Sequence, residues 1–365
     1  MPKDYWRTNV SDIEVFEQAL KDRAPRVYEK IAEYLREYAP EKFPKEHYKM
    51  VRDYSDRRGK YLRPVLIILG SEMLGGKEKE ALLTAAAMQT SEDWILIHDD
   101  IEDHSEKRRG KPALPKVLGM NNIPYGDELA LNAGDALHMI MWKMLFDNVN
   151  VLGLQKTKKL FNLMEDILLY TCEGQYLDIS WTHYGSVYVT EEEYYKMIDA
   201  KAGAYTVYGP IQLGAVVASA TEEQIDSIKE WGLPFGRAFM IHDDVLNLTG
   251  TEDKYGKEIG GDILEGKRTL MFIHLLRHCS EEERDKVIEI YLKTRQEKEK
   301  EGSKHIKYVI DLMKKYGSID FAQTKATEFA EEAKRLFDKR TKSLRNTYAR
   351  NVVRAGIVWA ATRDR

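Results

Sequence analysis

The chain has 365 residues, with 56 basic and 60 acidic side chains and a formal net charge of −4. This balance provides no general attraction to nucleic acid or to an anionic membrane surface. Length alone suggests two domains, but no Ser/Pro-rich or low-complexity stretch resembles a linker, so one domain over residues 1–365 is expected. The 10 prolines and 24 glycines are few for this length and favour long helices over many tight turns.

The two cysteines and the apolar segments bear on cellular location. Cys172 and Cys279 have no metal-like spacing, and such a sparse pair fits a reducing cytoplasm better than a disulfide scaffold. The first thirty residues are charged throughout and lack an apolar signal core. No apolar run approaches the ~20 residues that a membrane-spanning helix needs. We therefore expect a soluble, cytoplasmic protein.

Helix start signals recur along the chain. Four segments have the capping-box form, in which a hydroxyl side chain is followed three residues later by Glu or Gln. They are Ser11 to Glu14, Thr190 to Glu193, Thr221 to Gln224 and Ser280 to Glu283. Apolar blocks with helical spacing cover residues 64–74, 81–98, 129–146, 164–179 and 204–220. Only residues 185–189 alternate like a strand, so the predicted architecture is all-α, a large helical bundle.

Two acidic clusters follow apolar helical stretches. Residues 96–103 read L-I-H-D-D-I-E-D, and residues 240–247 read M-I-H-D-D-V-L-N. Asp99 and Asp103 are one helical turn apart, with Asp100 beside them. Such carboxylates repel one another unless a cation lies among them, and hard oxygen ligands favour Mg²⁺ bound to a phosphate-bearing substrate. The alternative, a solvated helix end, fits a lone cluster but is less suited to a pair.

Basic residues stand next to these clusters in the sequence. They are Lys60 and Arg63 before an apolar helix, Arg108 and Arg109 after the first cluster, and Lys257 and Lys267 after the second. Arg and Lys are the usual partners of phosphate oxygens. Each one alone would be interpreted as a solvated surface charge, and their placement beside the acidic helices indicates a phosphate site.

With these motifs, the sequence resembles the trans-type prenyl diphosphate synthases, the family of farnesyl and geranylgeranyl diphosphate synthases. The resemblance covers about residues 59–267, and its most specific part is the first aspartate cluster followed by R-R-G-x-P. It implies one bundle of long helices around a deep central cavity, which is usually dimeric. A homodimer is therefore expected.

The resemblance also implies roles for individual residues. Three Mg²⁺ ions would bind the diphosphate of an allylic substrate through Asp99, Asp100, Asp103, Asp243 and Asp244. Arg108, Lys201 and Lys267 would contact the same diphosphate, with Lys257 nearby. Lys60, Arg63 and Arg109 would hold isopentenyl diphosphate, and Gln212 would face the reacting carbons.

The implied chemistry needs no side-chain nucleophile. Cations stabilise the departing diphosphate, and a dry apolar cavity protects the allylic carbocation from water. Trp94 and Ile95 stand five and four residues before the first cluster, about 6–8 Å below it along a helix. In the family a bulky residue at the fifth position limits product length. The expected product is geranylgeranyl diphosphate, with farnesyl diphosphate as the second choice.

Four positions depart from the family pattern: Asn247, Met240, Ala202 and Glu92. They leave open a weakly active or inactive regulatory subunit, and also a terpene cyclase, although a cyclase would not need a second diphosphate site. His98 and His242 are expected to be structural rather than metal ligands. Residues 293–304 are expected to be a solvated helix end or loop, and the participation of Arg363 or Arg365 stays open.

Overall fold

A computed structural model describes residues 11–120, 125–250 and 259–363. This part of the chain is almost entirely helical, which confirms the all-α prediction. The helices of the first half are α1 (Asp12–Tyr38), α2 (Lys45–Arg57), α3 (Leu62–Met73), α4 (Glu78–Glu102), α5 (Leu114–Met120), α6 (Gly126–Asp147), α7 (Val149–Leu152) and α8 (Leu154–His183). Those of the second half are α9 (Glu191–Ile198), a π-helix (Asp199–Tyr208), α10 (Gly209–Val217), α11 (Glu222–Thr249), α12 (Gly261–Glu265), α13 (Leu270–His278), α14 (Glu281–Leu292), α15 (Arg295–Lys300), α16 (Lys304–Lys315), α17 (Ser318–Arg340) and α18 (Tyr348–Thr362).

All four predicted capping boxes form. They begin α1, α9, α11 and α14, with the hydroxyl and the Glu or Gln side chain each bonded to the other residue's backbone N–H. A fifth, Thr294 with Glu297, begins α15 inside the charged segment that was expected to be solvated. That expectation is wrong for Lys298, which is 1% exposed. Its Nζ donates to the backbone carbonyls of Ile263 and Leu264.

The centre of the bundle consists of α3, α4 and α10, which are buried over most of their length. The backbones of α3 and α10 approach very closely, because a Cβ atom on Gly214 would lie 2.1 Å from the carbonyl oxygen of Ile67. Around this centre α4 packs on α6, and α11 packs on α17. Helices α1 and α18, from opposite ends of the described chain, also pack against each other.

The described residues contain one small β-hairpin, which sequence patterning did not predict. Strands β1 (Lys107–Arg108) and β2 (Lys111–Pro112) are antiparallel and joined by Arg109 and Gly110. Both turn residues have positive φ, 53° and 72°, as a tight type I′ hairpin requires. Residues 185–189, which alternate like a strand, form none. The hairpin at residues 107–112 folds the basic segment back beneath the first acidic cluster, where Arg108 contacts Asp100.

No helix within the described ranges is both long enough and apolar enough to cross a bilayer.

Gly174 on α8 permits the π-helix to pack in its observed position. A Cβ atom at Gly174 would lie 2.1 Å from the backbone nitrogen of Lys201, whereas one at Gly203 would meet its nearest neighbour at 3.6 Å. We predict that Gly174→Ala lowers the free energy of unfolding by about 1–3 kcal/mol, because rigid backbone must move. Gly203→Ala, within the π-helix itself, is the matched control and should be neutral or slightly stabilising. Denaturant unfolding of both variants tests this, and equal stabilities would contradict it.

Candidate active site

The first acidic cluster forms the last turn of α4, and its three carboxylates face different partners. Asp103, at the C-cap, accepts a hydrogen bond from Lys267 Nζ at 3.1 Å. Asp99 Oδ2 accepts from Arg108 Nη2 at 2.9 Å. Asp100 is only 1% exposed; its Oδ1 accepts from Arg108 Nε at 2.8 Å, and its Oδ2 accepts from the hydroxyl of Tyr54. Asp99 and Asp103 therefore border the site, while Asp100 points into the protein.

Two predicted site residues have partners inside the protein. Asp100, a predicted metal ligand, has both of its oxygens occupied by buried donors. Arg108 was expected to contact a diphosphate, yet its side chain is 6% exposed and is bonded to Asp99 and Asp100. Both residues hold the cluster from below. Neighbouring charges at consecutive positions indicated a site, but the sequence could not show which face of the helix turns inward.

Two lysines bring further carboxylates to Asp99 and Asp103. Lys267 Nζ lies 2.6 Å from Glu265 as well as contacting Asp103. Lys201 Nζ, on the π-helix, donates to Asp178 Oδ2 on α8 at 2.6 Å. Asp178 interacts electrostatically with both lysines and with Asp99. The site thus includes side chains from α4, α8, the π-helix and the segment just after α12.

Asp178 and Gln175 are site residues that sequence reasoning missed. Gln175 Nε2 donates to Glu102 Oε2 at 2.7 Å and lies 3.4 Å from Asp99 Oδ1. Both residues interrupt the apolar block 164–179 at a spacing of i and i+3, so they share one face of α8. The block also contains Glu165, Asp166 and Glu173, so no local signal singles out these two residues.

The two aspartates of the second cluster also have different partners. Asp244 accepts from the hydroxyl of Tyr194 at 2.8 Å and interacts electrostatically with Asp262 and Lys267. Asp243 Oδ1 accepts from Arg363 Nη2 at 2.9 Å. Since Lys267 interacts with both Asp103 and Asp244, the structure brings the two clusters to one place.

Asn247 has a structural explanation. Its Oδ1 accepts a hydrogen bond from the backbone N–H of Asp262 at 3.2 Å, and its carbonyl accepts from Gly260. Asn247 therefore fixes the start of α12, which carries Asp262 toward Asp244. An amide performs this without adding another buried negative charge.

The C-terminal segment reaches the second cluster. The guanidinium of Arg363 is 1% exposed and lies over the ring of Phe239 at 4.1 Å while it contacts Asp243. His242 Nε2 donates to the carbonyl oxygen of Arg363 at 2.8 Å, and Nδ1 lies 2.8 Å from Gln323 Oε1. Both ring nitrogens of His242 therefore have partners within the protein. His98 packs against Trp94 and lies 3.7 Å from Asp135.

Burial and crowding shift the pKa values of the acidic residues. Burial, with Asp99 and Glu265 adding to it against Lys267, raises the pKa of Asp103 to about 7. Burial and then Asp262 raise the pKa of Asp244 well above its usual range. Burial also acts on Asp178, but Lys201 and Lys267 outweigh it and hold its pKa below the ordinary value. The positive charge near Asp103 and Asp244 therefore does not offset burial and the neighbouring carboxylates.

The predicted isopentenyl diphosphate residues lie beside Glu92 and Asp93 of α4, two turns before Asp99 and Asp100 on the same helix face and about 10 Å away. Arg63, in the first turn of α3, and Arg109, in the hairpin turn, both approach Glu92. Arg109 Nη2 also donates to Asp93 Oδ1 at 2.9 Å. Lys60 lies exposed just before α3. The structure therefore brings the basic residues together, but with two carboxylates among them.

The remaining predicted residues differ in outcome. Gln212 does not face the clusters: its Nε2 donates to the carbonyl of Ile225, 18 residues and about 27 Å along α11 from Asp243. Lys257 and Arg365 lie outside the described residues. Trp94 packs between α4 and α6, with its ring 4.6 Å from that of His138, and Ile95 is a partly buried neighbour in the core.

Within the described ranges, no three acidic, histidine or cysteine side chains converge around one point suited to an ion. Arginine and lysine contact the carboxylates instead. The donor set nevertheless fits Mg²⁺, because the exposed edge of the site consists of hard carboxylate oxygens from α4 and α11 with raised pKa values. Asp99, Asp103 and Asp243 or Asp244 are the residues that would hold such ions.

Comparisons with known proteins agree with this site. The sequence model of the polyprenyl synthetase family matches residues 44–312. A short chain isoprenyl diphosphate synthase of Methanothermobacter thermautotrophicus is 33% identical, over 76% of this chain and 79% of the relative. A geranylgeranyl pyrophosphate synthase of Geoglobus acetivorans is 33% identical, over 87% of this chain and 91% of the relative. The crystal structure of geranylgeranyl pyrophosphate synthetase from Pyrococcus horikoshii superposes with a TM-score of 0.78, 30% identity and coverage of 96% and 98%.

The helical bundle, its paired acidic clusters and these matches define an isoprenoid synthase fold. The chain belongs to the polyprenyl synthetase family. It is accordingly an enzyme that transfers prenyl groups.

The pKa of Asp103 predicts a pH-dependent stability of the metal-free protein. The folded pKa of about 7 lies above the ordinary aspartate pKa of 3.8, so the folded state keeps a proton that the unfolded chain releases. Stability from this group is therefore present at low pH and is lost as pH rises toward and past 7. We predict that Asp103→Asn, in EDTA, raises Tm at pH 8 and does so less at pH 5.

The control has the opposite sign. A hydrogen bond from Arg354 lowers the pKa of Asp338, so Asp338→Asn should slightly lower Tm at pH 8. Thermal melts at the two pH values measure both variants. A lower Tm for Asp103→Asn at pH 8 would show that the pairing with Lys267 outweighs the cost of burial.

Proposed function

We propose that the chain joins isopentenyl diphosphate to an allylic diphosphate, with three Mg²⁺ ions, and that its product is geranylgeranyl diphosphate. The observation that carries this proposal is the position of Lys267, which contacts Asp103 of the first cluster through Nζ and donates its backbone N–H to Asp262, a residue that Asn247 binds on the helix of the second cluster. Carboxylates from two helices, arranged around lysines, can surround one diphosphate with cations. The relatives from Geoglobus and Pyrococcus, named as geranylgeranyl diphosphate synthases, support the product.

The first step is ionisation of the allylic substrate. Its C–O bond breaks, and both electrons leave with the diphosphate. Bound Mg²⁺ would neutralise the charge that develops on the diphosphate oxygens. Lys201 and Lys267 supply fixed positive charge at the same place, and burial strengthens their effect. Arg108 and Tyr54 hold the acidic cluster in position from below.

The second step forms the new carbon–carbon bond. Arg63 and Arg109 hold isopentenyl diphosphate so that its double bond attacks the allylic carbon, and the resulting cation loses a proton to the released diphosphate. The described side chains lining this region include Tyr205, whose ring faces Arg63 at 4.6 Å. Aromatic side chains such as Tyr205 would help to keep water away from the carbocation.

An isotope incorporation assay tests the proposed function. The purified chain is incubated with Mg²⁺, labelled isopentenyl diphosphate and, in turn, allylic primers of five, ten and fifteen carbons. We expect a C20 diphosphate by mass spectrometry and, for Asp99→Asn and Asp103→Asn, a loss of at least about 10²-fold in kcat. The Asp338→Asn variant is the control for the substitution itself. Cyclic hydrocarbon without incorporation would indicate a terpene cyclase, and no turnover would indicate an inactive subunit.

Product length is proposed to depend on Trp94. Its indole packs against the His138 ring of α6 in a tilted arrangement, and its buried Nε1 has no hydrogen-bond partner. A bulky ring at this depth below Asp99 would close the cavity in which the product grows. The adjacent Ile95 is smaller and leaves more room than a second aromatic ring would.

We predict that Trp94→Ala lengthens the product beyond twenty carbons, because it removes the ring that stops the chain. Trp94→Phe is the matched control: it keeps an aromatic ring and removes an N–H that has no partner, so product length should stay at twenty carbons. Mass spectrometry of the products measures both. An unchanged product for Trp94→Ala would exclude the residue from this role.

We further propose a cytoplasmic homodimer in which residues 1–365 form one domain. Exposed large apolar side chains concentrate on two neighbouring helices: Leu131, Met139 and Phe146 on α6, and Leu154, Leu169 and Tyr176 on α8. Such a concentration is typical of a protein interface. The packing of α1 on α18 supports one domain, and the free thiols of Cys172 and Cys279 suit a reducing compartment. A monomer mass by light scattering would overturn the dimer.

A further inference from the structure

Two arginines from separate elements share a single carboxylate. Arg63 Nη1, from α3, lies 3.0 Å from Glu92 Oε2, and Arg109 Nη2, from the hairpin turn, lies 3.6 Å from Glu92 Oε1. Each carboxylate oxygen therefore faces a different guanidinium. Glu92 bridges the two side chains to which the proposed function assigns isopentenyl diphosphate.

Both arginines are also held in place by contacts that do not involve Glu92. Arg63 Nη2 donates to Thr206 Oγ1 at 2.9 Å, and its guanidinium lies over the Tyr205 ring. Arg109 donates to the carbonyl of Tyr54 and, at 2.9 Å, to Asp93. Each arginine therefore has other partners that remain when Glu92 is replaced.

Asp93 is a fixed partner of Arg109. Its Oδ2 accepts from Ser55 Oγ at 2.7 Å and its Oδ1 accepts from Gln89 Nε2 at 3.2 Å, so both oxygens have neutral donors besides the arginine. Asp93 is 1% exposed, whereas the Glu92 side chain is 15% exposed. Asp93 thus belongs to the buried support of Arg109, and the Glu92 side chain is the more exposed of the two.

Glu92 carries a negative charge at neutral pH. Burial acts to raise its pKa, but the nearby charges of Arg63 and Arg109 outweigh burial and hold the pKa below its ordinary value. An anion that approaches these arginines therefore meets a carboxylate already bound to them. Its attraction is reduced, since like charges at such distances repel.

We infer that Glu92 is a specificity-determining residue, an internal competitor that weakens the binding of isopentenyl diphosphate to Arg63 and Arg109. This inference rests on the proposed function, because it assumes that a diphosphate binds there. The carboxylate is displaced from the arginines whenever the diphosphate occupies them. Removal of the charge alone, with the arginines left in place, strengthens binding.

The test is the affinity of Glu92→Gln for isopentenyl diphosphate, measured by calorimetry in EDTA. Chelation keeps the metal-dependent allylic site from contributing to the heat. We expect the Kd to fall on the order of tenfold and to depend more steeply on salt, because the pocket gains one net positive charge. In turnover with Mg²⁺, KM for isopentenyl diphosphate should fall similarly, with kcat changed by less than about twofold.

Glu72→Gln is the matched control. Glu72 pairs with Arg23 at 2.8 Å, away from the site, so its loss tests the general effect of breaking a partly buried ion pair. Its Kd and KM should equal those of the wild type. Glu92→Ala is a second variant that removes the charge, and melting curves confirm that each variant is folded.

An unchanged or weaker affinity in folded Glu92→Gln and Glu92→Ala overturns the inference, because it would mean that the carboxylate orders the arginines. Absence of binding in both the wild type and the variants overturns it as well. Failure of the proposed function is distinguishable. If the variants bind isopentenyl diphosphate more tightly but form no product, the inference about Glu92 holds and the proposed prenyl transfer is contradicted.

Discussion

Repulsion among carboxylates that share a buried site is the constraint on which the structure depends. Asp99 and Asp103 at the end of α4, Asp178 on α8 and Asp244 on α11 come from helices far apart in sequence. Lys267 and Lys201 lie among them and offset part of the repulsion, as the lowered pKa of Asp178 shows. Asp103 and Asp244 keep raised pKa values, so the site still favours added cations. This excess of negative charge lowers the stability of the metal-free protein. It also favours the binding of metal ions and, through them, of a diphosphate.

The layers beneath the site preserve this imbalance. Asp100, Tyr54 and Arg108 form a buried group that fixes the last turn of α4 without reaching the open side. Arg363 performs a similar task under the second cluster, since it contacts Asp243 while His242 binds its backbone carbonyl. The direction in which each carboxylate points is therefore set by buried residues beneath the site. Function here needs a rigid support as much as it needs the acidic side chains.

Much of the fold could be predicted from sequence, because its signals are local. Capping boxes depend on two residues three positions apart, and all four predicted ones form. The two I-H-D-D segments are also local motifs, and their repetition indicated one shared site. The orientation of Asp100 and Arg108, the displacement of Gln212 and the contribution of Asp178 depend on long-range packing. Residues 185–189 show the limit of local signals, since alternation without a partner strand does not make a sheet.

The structure gives separate contacts for two of the four positions that depart from the family pattern. Asn247 binds the backbone of Asp262 and so serves the start of α12 rather than a metal. Glu92 contacts Arg63 and Arg109, the two arginines proposed to bind isopentenyl diphosphate. Neither change removes Asp99 or Asp103. The structure gives no separate explanation for Met240 or Ala202.

The central claim is that carboxylates from α4 and α11 serve shared cations. The most direct measurement is anomalous diffraction from crystals grown with Mn²⁺ and a non-hydrolysable allylic diphosphate. The account predicts metal peaks between Asp99 and Asp103 on one side and the Asp243–Asp244 pair on the other, with the diphosphate beside Lys201 and Lys267. Metal peaks confined to one cluster, or a diphosphate bound away from both lysines, would contradict it.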